Sequence, residues 1–318
     1  QPDWPAISHE TMSITRLELH QSTNRLARAY QGLGVQEGDF VTIALPNSIE
    51  FYQACIATWK LGATPQPISA KLPRVEQIAI VSLAEPALLV GSGANLALGV
   101  QTLPANFMPD PALSDADLPD KVSRFWKAPT SGGSTGRPKI IVSEIPGCFD
   151  FSQDKPLQQE FDRAQLVPGP LYHNGPFSFS MNGLFLGNHI VVMTRFDAEQ
   201  TLALIEAHDI DWMMMVPTMM SRIWKLPDEI RLKYDLSSLR VMLHLAAPCP
   251  PWLKEKWIDW LGGDRIHELF GGTEGTGATW ITGDEWLAHR GSVGKLLGGA
   301  KVKVVNEQGE TLPRWRNW

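Results

Sequence analysis

The chain has 318 residues, 43% of them hydrophobic, enough for one large domain or two ordinary ones. Its formal net charge of −6 gives no electrostatic drive for non-specific nucleic-acid binding, and no basic block with interleaved aromatics is present. Cys55, Cys148 and Cys249 are widely spaced with no C-x-x-C pair, so neither a disulfide framework nor a zinc site is expected; each thiol reads as a small core residue in a reducing, cytoplasmic setting.

The longest strongly apolar run, 212–217, is far short of a bilayer span. No basic stretch precedes an apolar one at the N-terminus, so no leader is read there. The first residue is Gln1 rather than methionine, and the chain is expected to be a fragment or a processed product.

Thr15 and Glu18 form a capping-box pair, and Leu19, Leu26 and Tyr30 continue a helix that Gly32 and Gly34 end. A β-rich run follows from Phe40 to Leu45, then a Pro46-Asn47 turn and a second helix from about Ser48 to Lys60, stopped by Gly62. Ala87 to Val90 reads as a buried strand, and 91–120 as loops and short strands. In the second half, strands are predicted at 190–193, 211–216, 240–245 and 266–270, with helices from Asp197 to about His208 and from Pro251 to Leu261. A last strand is expected at Lys301–Val305, followed by a turn at Asn306–Gly309. Strands separated by helices predict an α/β fold: two similar, mainly parallel sheet-and-helix layers, divided as 1–165 and 166–300, with 301–318 opening a further β segment. Ligands of such folds sit at the carboxyl ends of strands.

The strongest chemical signal is Thr130-Ser131-Gly132-Gly133-Ser134-Thr135-Gly136-Arg137-Pro138-Lys139. Gly132, Gly133 and Gly136 let the backbone approach a ligand closely. The hydroxyls of Thr130, Ser131, Ser134 and Thr135 and the amide N–H groups can wrap phosphate oxygens, and Lys139 adds charge. A Walker A loop needs Gly-Lys-Ser/Thr opening a helix. Here a proline precedes the lysine and Ile140–Val142 continues as a strand, so a strand–loop–strand clamp is predicted, with Arg124–Lys127 as its first strand.

This loop resembles the phosphate loop of the adenylate-forming superfamily, which includes acyl- and aryl-CoA ligases, luciferases and peptide-synthetase adenylation domains. Ile140 departs from the glycine usual there. Phe270-Gly271-Gly272-Thr273-Glu274 follows a predicted strand and resembles the family's aromatic-Gly-x-Thr-Glu motif. The resemblance implies that Phe270 stacks on adenine, Gly271 and Gly272 admit the nucleotide, Thr273 bonds an oxygen of the reacting groups, and Glu274 ligates Mg²⁺. Pro170-Leu171-Tyr172-His173-Asn174-Gly175 resembles the segment whose histidine gates the acyl pocket. It implies that His173 faces the carboxylate, with Asn174, Gly175, Val216 and Thr218 beside the acid. Ala246-Ala247-Pro248 resembles the small-small-x-Pro stretch beside adenine, with alanines where glycines are common. Gly291-Ser292-Val293-Gly294-Lys295 resembles the segment after the Thr-Glu motif. Thr282-Gly283-Asp284 looks like the ribose-binding Thr-Gly-Asp, but it precedes Gly291 where the ribose aspartate should follow, so that role is not carried to Asp284.

The resemblance covers nearly the whole chain and implies the large N-terminal adenylation domain, with the family's C-terminal domain absent. The implied reaction joins ATP and a carboxylic acid into acyl-AMP, with Mg²⁺, Lys139 and Glu274 at the phosphates, and then transfers the acyl group to coenzyme A or a carrier protein. A non-catalytic nucleotide-binding remnant and a kinase-like NTPase are the alternatives. The segment 177–182 carries no acid to hold a substrate ammonium, so amino acids are disfavoured. The resemblance points to fatty, steroid-side-chain or terpenoid acids. Met213–Met215, Met219 and Met220 read either as a pocket lining or, at least as well, as a buried strand and a core-facing helix start. No membrane span is expected, and oligomeric state is not readable.

Overall fold

The computed structural model describes residues 1–91, 99–132, 138–150 and 156–312. These form two compact units, Gln1–Asp197 and Ala198–Trp318. The division falls later than the expected 165/166 because the strand after residue 185 returns to pair with the N-terminal strand of the first unit.

The first unit opens with β1 (Pro5–His9), β2 (Met12–Thr15) and α1 (Arg16–Gly32). The predicted capping box forms: the Thr15 N–H donates to Glu18 Oε2 at 2.8 Å and the Glu18 N–H to Thr15 Oγ1 at 3.2 Å. Then come β3 (Phe40–Ile43) and α2 (Ile49–Lys60), where Ser48 accepts from the Phe51 N–H. Next are β4 (Thr64–Pro67), α3 (Arg74–Ala84), β5 (Leu88–Val90) and β6 (Gln101–Leu103). Strands β4-β3-β5-β6 make a parallel sheet. A hairpin of β7 (Thr130–Gly132) and β8 (Pro138–Ile140) follows, then β9 (Ala164–Val167), α4 (Asn174–Phe185) and β10 (His189–Val192). Strands β9, β10 and β1 are parallel neighbours, with β2 antiparallel at the edge. The core of this unit gathers Tyr30, Phe51, Tyr52 and Phe177, all at most 1% exposed. Phe177 meets the rings of Phe51, Trp59 and Trp126 at centroid distances of 6.0–6.2 Å.

The second unit runs α5 (Ala198–Ala207), β11 (Trp212–Met215), α6 (Pro217–Trp224), α7 (Asp228–Arg231), β12 (Val241–His244), α8 (Pro251–Leu261), β13 (Ile266–Gly271), β14 (Ala278–Thr282), α9 (Gly283–Ala288) and β15 (Lys295–Leu296). Strands β11-β12-β13 are parallel and β14 and β15 are added antiparallel. Met213 and Met215 are fully buried in β11 and Met220 in α6, the core placement rather than a pocket lining.

Several expectations are corrected. Residues 124–127 form no strand, although the Trp126 N–H donates to Ile145 O and the Ser143 N–H to Lys127 O; the clamp strands lie closer to the loop, as β7 and β8. Lys301–Val305 is no strand beyond one bridge, Val305 to Thr311, because Val302 and Val304 bury neither face, at 66% and 64% exposed. Cys148 is exposed and Cys249 half-buried, so only Cys55 is a core thiol. Among the described residues no helix is long and apolar enough to cross a membrane.

Candidate functional site

In the first unit, the hairpin β7–β8 places Ser131 opposite Lys139 and Thr130 opposite Ile140. Gly133, Ser134, Thr135 and Gly136 of the predicted loop lie outside the described residues. Thr130 is fixed from behind: Gln66 Nε2, on the buried β4, donates to its hydroxyl at 3.0 Å, and Thr42 donates in turn to Gln66 Oε1. Lys139 is exposed and has no hydrogen bond or ion pair among the described residues.

His173 is the N-cap of α4, in extended conformation and with no side-chain cap bond. Its ring packs on Tyr172, centroids 4.3 Å apart, and partial burial holds its pKa below the usual histidine value. Near neutral pH the imidazole is therefore uncharged, able to donate one N–H without a full charge. Asn174 and Gly175 form the first turn behind it. The approach to His173 is held by Asn47, which donates to the carbonyls of Gly169 (2.8 Å) and Met193 (2.9 Å) and accepts from the Leu171 N–H (2.8 Å). The exit is held by Lys127, 8% exposed, whose Nζ donates to Asn174 Oδ1 at 2.6 Å and to Ser178 Oγ, and lies 4.1 Å from the Trp126 ring centroid. Burial pulls the Lys127 pKa down to about 7.

In the second unit, three segments distant in sequence converge on one cleft of about 500 Å³: Ala246–Cys249 after β12, Glu268–Gly271 at the end of β13, and Arg290–Val293 before β15. Phe270 is 62% exposed there, a large apolar ring facing the cleft with no ring partner among the described residues. Ala246 has φ +72°, the left-handed region that favours glycine, which gives a physical reason for small residues at this turn. Gly294 (φ +91°) admits no side chain, since a Cβ there would lie 2.0 Å from Trp280 O. Gly272, Thr273 and Glu274 turn away just beyond the cleft, closed by Gly275 N–H to Gly272 O at 3.1 Å. Glu274 is exposed with no partner among the described residues. No group of three or more His, Cys, Asp or Glu that could hold a metal ion occurs among the described residues. Val216 caps α6 and Thr218 lies exposed within it, neither lining the cleft.

The floor of the cleft holds a pair that the sequence did not disclose. Lys254 Nζ, in a side chain 1% exposed, meets Glu268 Oε2 at 2.5 Å. His244 lies 4.0 Å from the same oxygen, its pKa pulled down to about 3 by burial and by the Lys254 and His267 charges. Burial pushes the Cys249 thiol up to about 11, so it is no nucleophile. Thr282-Gly283-Asp284 is explained structurally: Thr282 caps α9, accepting from the Glu285 N–H at 3.2 Å, and Asp284 packs against Gly263.

A family model described as AMP-binding enzyme matches residues 1–317. A probable CoA ligase from Humulus lupulus is 25% identical over 94% of this chain and 60% of its own length. A (methyl-dioxo-octahydro-indenyl)propanoyl:CoA ligase from Rhodococcus jostii is 26% identical over 98% of this chain and 68% of its own length. The chain thus spans only about two thirds of the curated relatives it matches. In structure it superposes on o-succinylbenzoate coenzyme A synthetase from Bacillus subtilis in complex with AMP, with TM-score 0.82 and 21% identity, covering 98% of this chain and 81% of that one.

Proposed function

The chain belongs to the AMP-binding enzyme family, and from that premise we propose that it binds ATP and an apolar carboxylic acid and serves in forming an acyl-AMP for transfer to a thiol. The observation that carries this reading is the cleft of the second unit. Phe270, Ala246, Ala247, Pro248 and Gly271 line one cleft with ample room for a purine, with the Glu268 carboxylate at its floor as an acceptor for an amino group. An exposed aromatic ring above an anchored acceptor suits adenine by stacking and hydrogen bonding.

The remaining roles follow from chemistry. In this reading Lys139 and the hydroxyls of Thr130 and Ser131 offset charge on the leaving pyrophosphate. Thr273 and Glu274 sit just past the adenine cleft, Thr273 as a donor and Glu274 as a hard oxygen ligand. Magnesium held by Glu274 and phosphate oxygens would supply Lewis-acid charge neutralisation. His173, uncharged, donates to the substrate carboxylate, and Asn174 and Gly175 border the acyl chain. The carboxylate attacks the α-phosphorus, pyrophosphate leaves, and a thiol then takes the acyl group and expels AMP. Coenzyme A is the acceptor named in the relatives' descriptions, with a carrier-protein thiol as the competing one.

The acid is of fatty, steroid-side-chain or terpenoid type. The face of α4 that an amino-acid substrate would need to be anionic instead meets the Lys127 ammonium. A second buried cation there would be repelled. The test is thermal stabilisation by non-hydrolysable acyl-sulfamoyl adenosines carrying decanoyl, cinnamoyl, cholanoyl or phenylalanyl groups. Binding at a hundredfold excess over Kd adds about 2.7 kcal/mol. Stabilisation by an apolar member beyond that by AMP is expected. Stabilisation by none of them, or by the phenylalanyl member alone, refutes the assignment.

A further inference from the structure

We propose that Lys127 is a positioning residue for His173: its ammonium, tied to Asn174 Oδ1 and Ser178 Oγ, fixes the first turn of α4 and thereby the direction of the imidazole. The inference rests on the assignment of His173 to the acyl group.

Helix α4 starts without the usual side-chain cap, since His173 at the N-cap makes no such bond. Something outside the helix must therefore set that turn. Lys127 reaches in from the segment ahead of β7 and bonds Asn174 and Ser178, one turn apart on α4. Ser178 closes the network by donating to the Asn174 carbonyl at 2.7 Å. His173 immediately precedes Asn174, so rotation of this turn redirects the ring. Asn47 clamps the other side through Gly169 and Leu171. Tyr172–His173 is thus held at both ends by buried polar side chains from elsewhere in the unit.

A lysine is a poor choice for stability here. It is buried beside the rings of Trp126 and Phe177, against the positive end of a helix, and no carboxylate lies within 4 Å among the described residues. A methionine would fill the same space without desolvating a charge. What the ammonium adds is directional bonding, two fixed contacts to one helical turn. The same segment continues into Thr130, itself bonded to Gln66, so the phosphate hairpin and the acyl gate share one support.

The test is a double-mutant cycle on ligand preference. For wild type, Lys127→Met, Ser178→Ala, His173→Ala and Lys127→Met/His173→Ala, one measures Kd for the tightest acyl-sulfamoyl adenosine of the panel and for AMP. Lys127→Met is expected to leave AMP binding within twofold and to lower the acyl preference about tenfold. The double variant is expected to lose no more than His173→Ala alone, a coupling that a merely structural lysine would not show. Ser178→Ala, a milder cut of the same network, is expected to lose part of the preference with the fold intact, and so carries the test if Lys127→Met does not fold. Unchanged acyl preference in these variants, or additive losses, overturns the inference alone. A wild-type chain with no acyl preference overturns the adenylate assignment and this inference with it.

Discussion

Replacing Lys254 by methionine tests the electrostatics beneath the cleft of the second unit. The pair is buried on the lysine side, 1% exposed, and opens slightly to the cleft on the Glu268 side, 14% exposed. Breaking a buried pair by removing one partner typically costs about 3–5 kcal/mol, because the other charge is left alone. Burial lowers that figure here: it already depresses the Lys254 pKa despite the Glu268 bond, so deleting the ammonium relieves a desolvation cost. The expected loss is about 2–3 kcal/mol. Native-state hydrogen exchange at the amides of β12 and β13 reads it, since a chain of two units need not unfold in one step. Adding Glu268→Gln to the lysine variant should restore about 1–2 kcal/mol. The His244 pKa, held down in part by the Lys254 charge, should rise in the single variant. A loss below about 1 kcal/mol, or a double variant no more stable than Lys254→Met, would show that the pair is solvated and that the floor is not as drawn.

Lys127 gives a pH signature. The folded chain releases that proton near pH 7 and the unfolded chain only near 10.4, so the unfolded state binds more protons between these values and stability rises with pH across the window. The rise should be roughly 3–4 kcal/mol at most, and denaturant midpoints from pH 6 to 10 should show it flattened in Lys127→Met; Lys60, pulled down to about 8, leaves a smaller slope of the same sign. Ala246→Gly removes a left-handed alanine and should stabilise by about 0.5–1 kcal/mol, read as a raised urea midpoint; a lowered midpoint would contradict the strain. Phe270→Ala should leave stability within about 0.5 kcal/mol, the ring being 62% exposed. It should also weaken AMP binding at least about tenfold by calorimetry, and equal affinity would remove the stacking role.

The sequence by itself determined much of the local structure and the order of the chemical segments. The capping pair Thr15–Glu18 and Ser48 set the starts of α1 and α2, and Pro251–Leu261 is helical over its whole predicted length, because caps and apolar spacing act within a few residues. The segments 130–132, 138–139 and 270–274 stood out in the sequence because glycine, hydroxyl and charge fall there in fixed order, and 246–248 stood out through its resemblance alone; their binding roles are the proposals made above. Strand β4 was missed since Pro65 and Pro67 argue against a strand; as an edge strand it tolerates them. The Thr282–Glu285 capping box is a local pattern like that of Thr15–Glu18, whereas only the tertiary structure decided that Ala246–Cys249, Phe270 and Arg290–Val293 share one cleft. The same holds for Asn47 with the 169–171 turn, Lys127 with Asn174, and Lys254 with Glu268. Each of these pairs joins buried polar groups from different elements, and no local pattern encodes them: the need to satisfy a buried charge or amide is met by whatever group the packed elements bring within 3 Å.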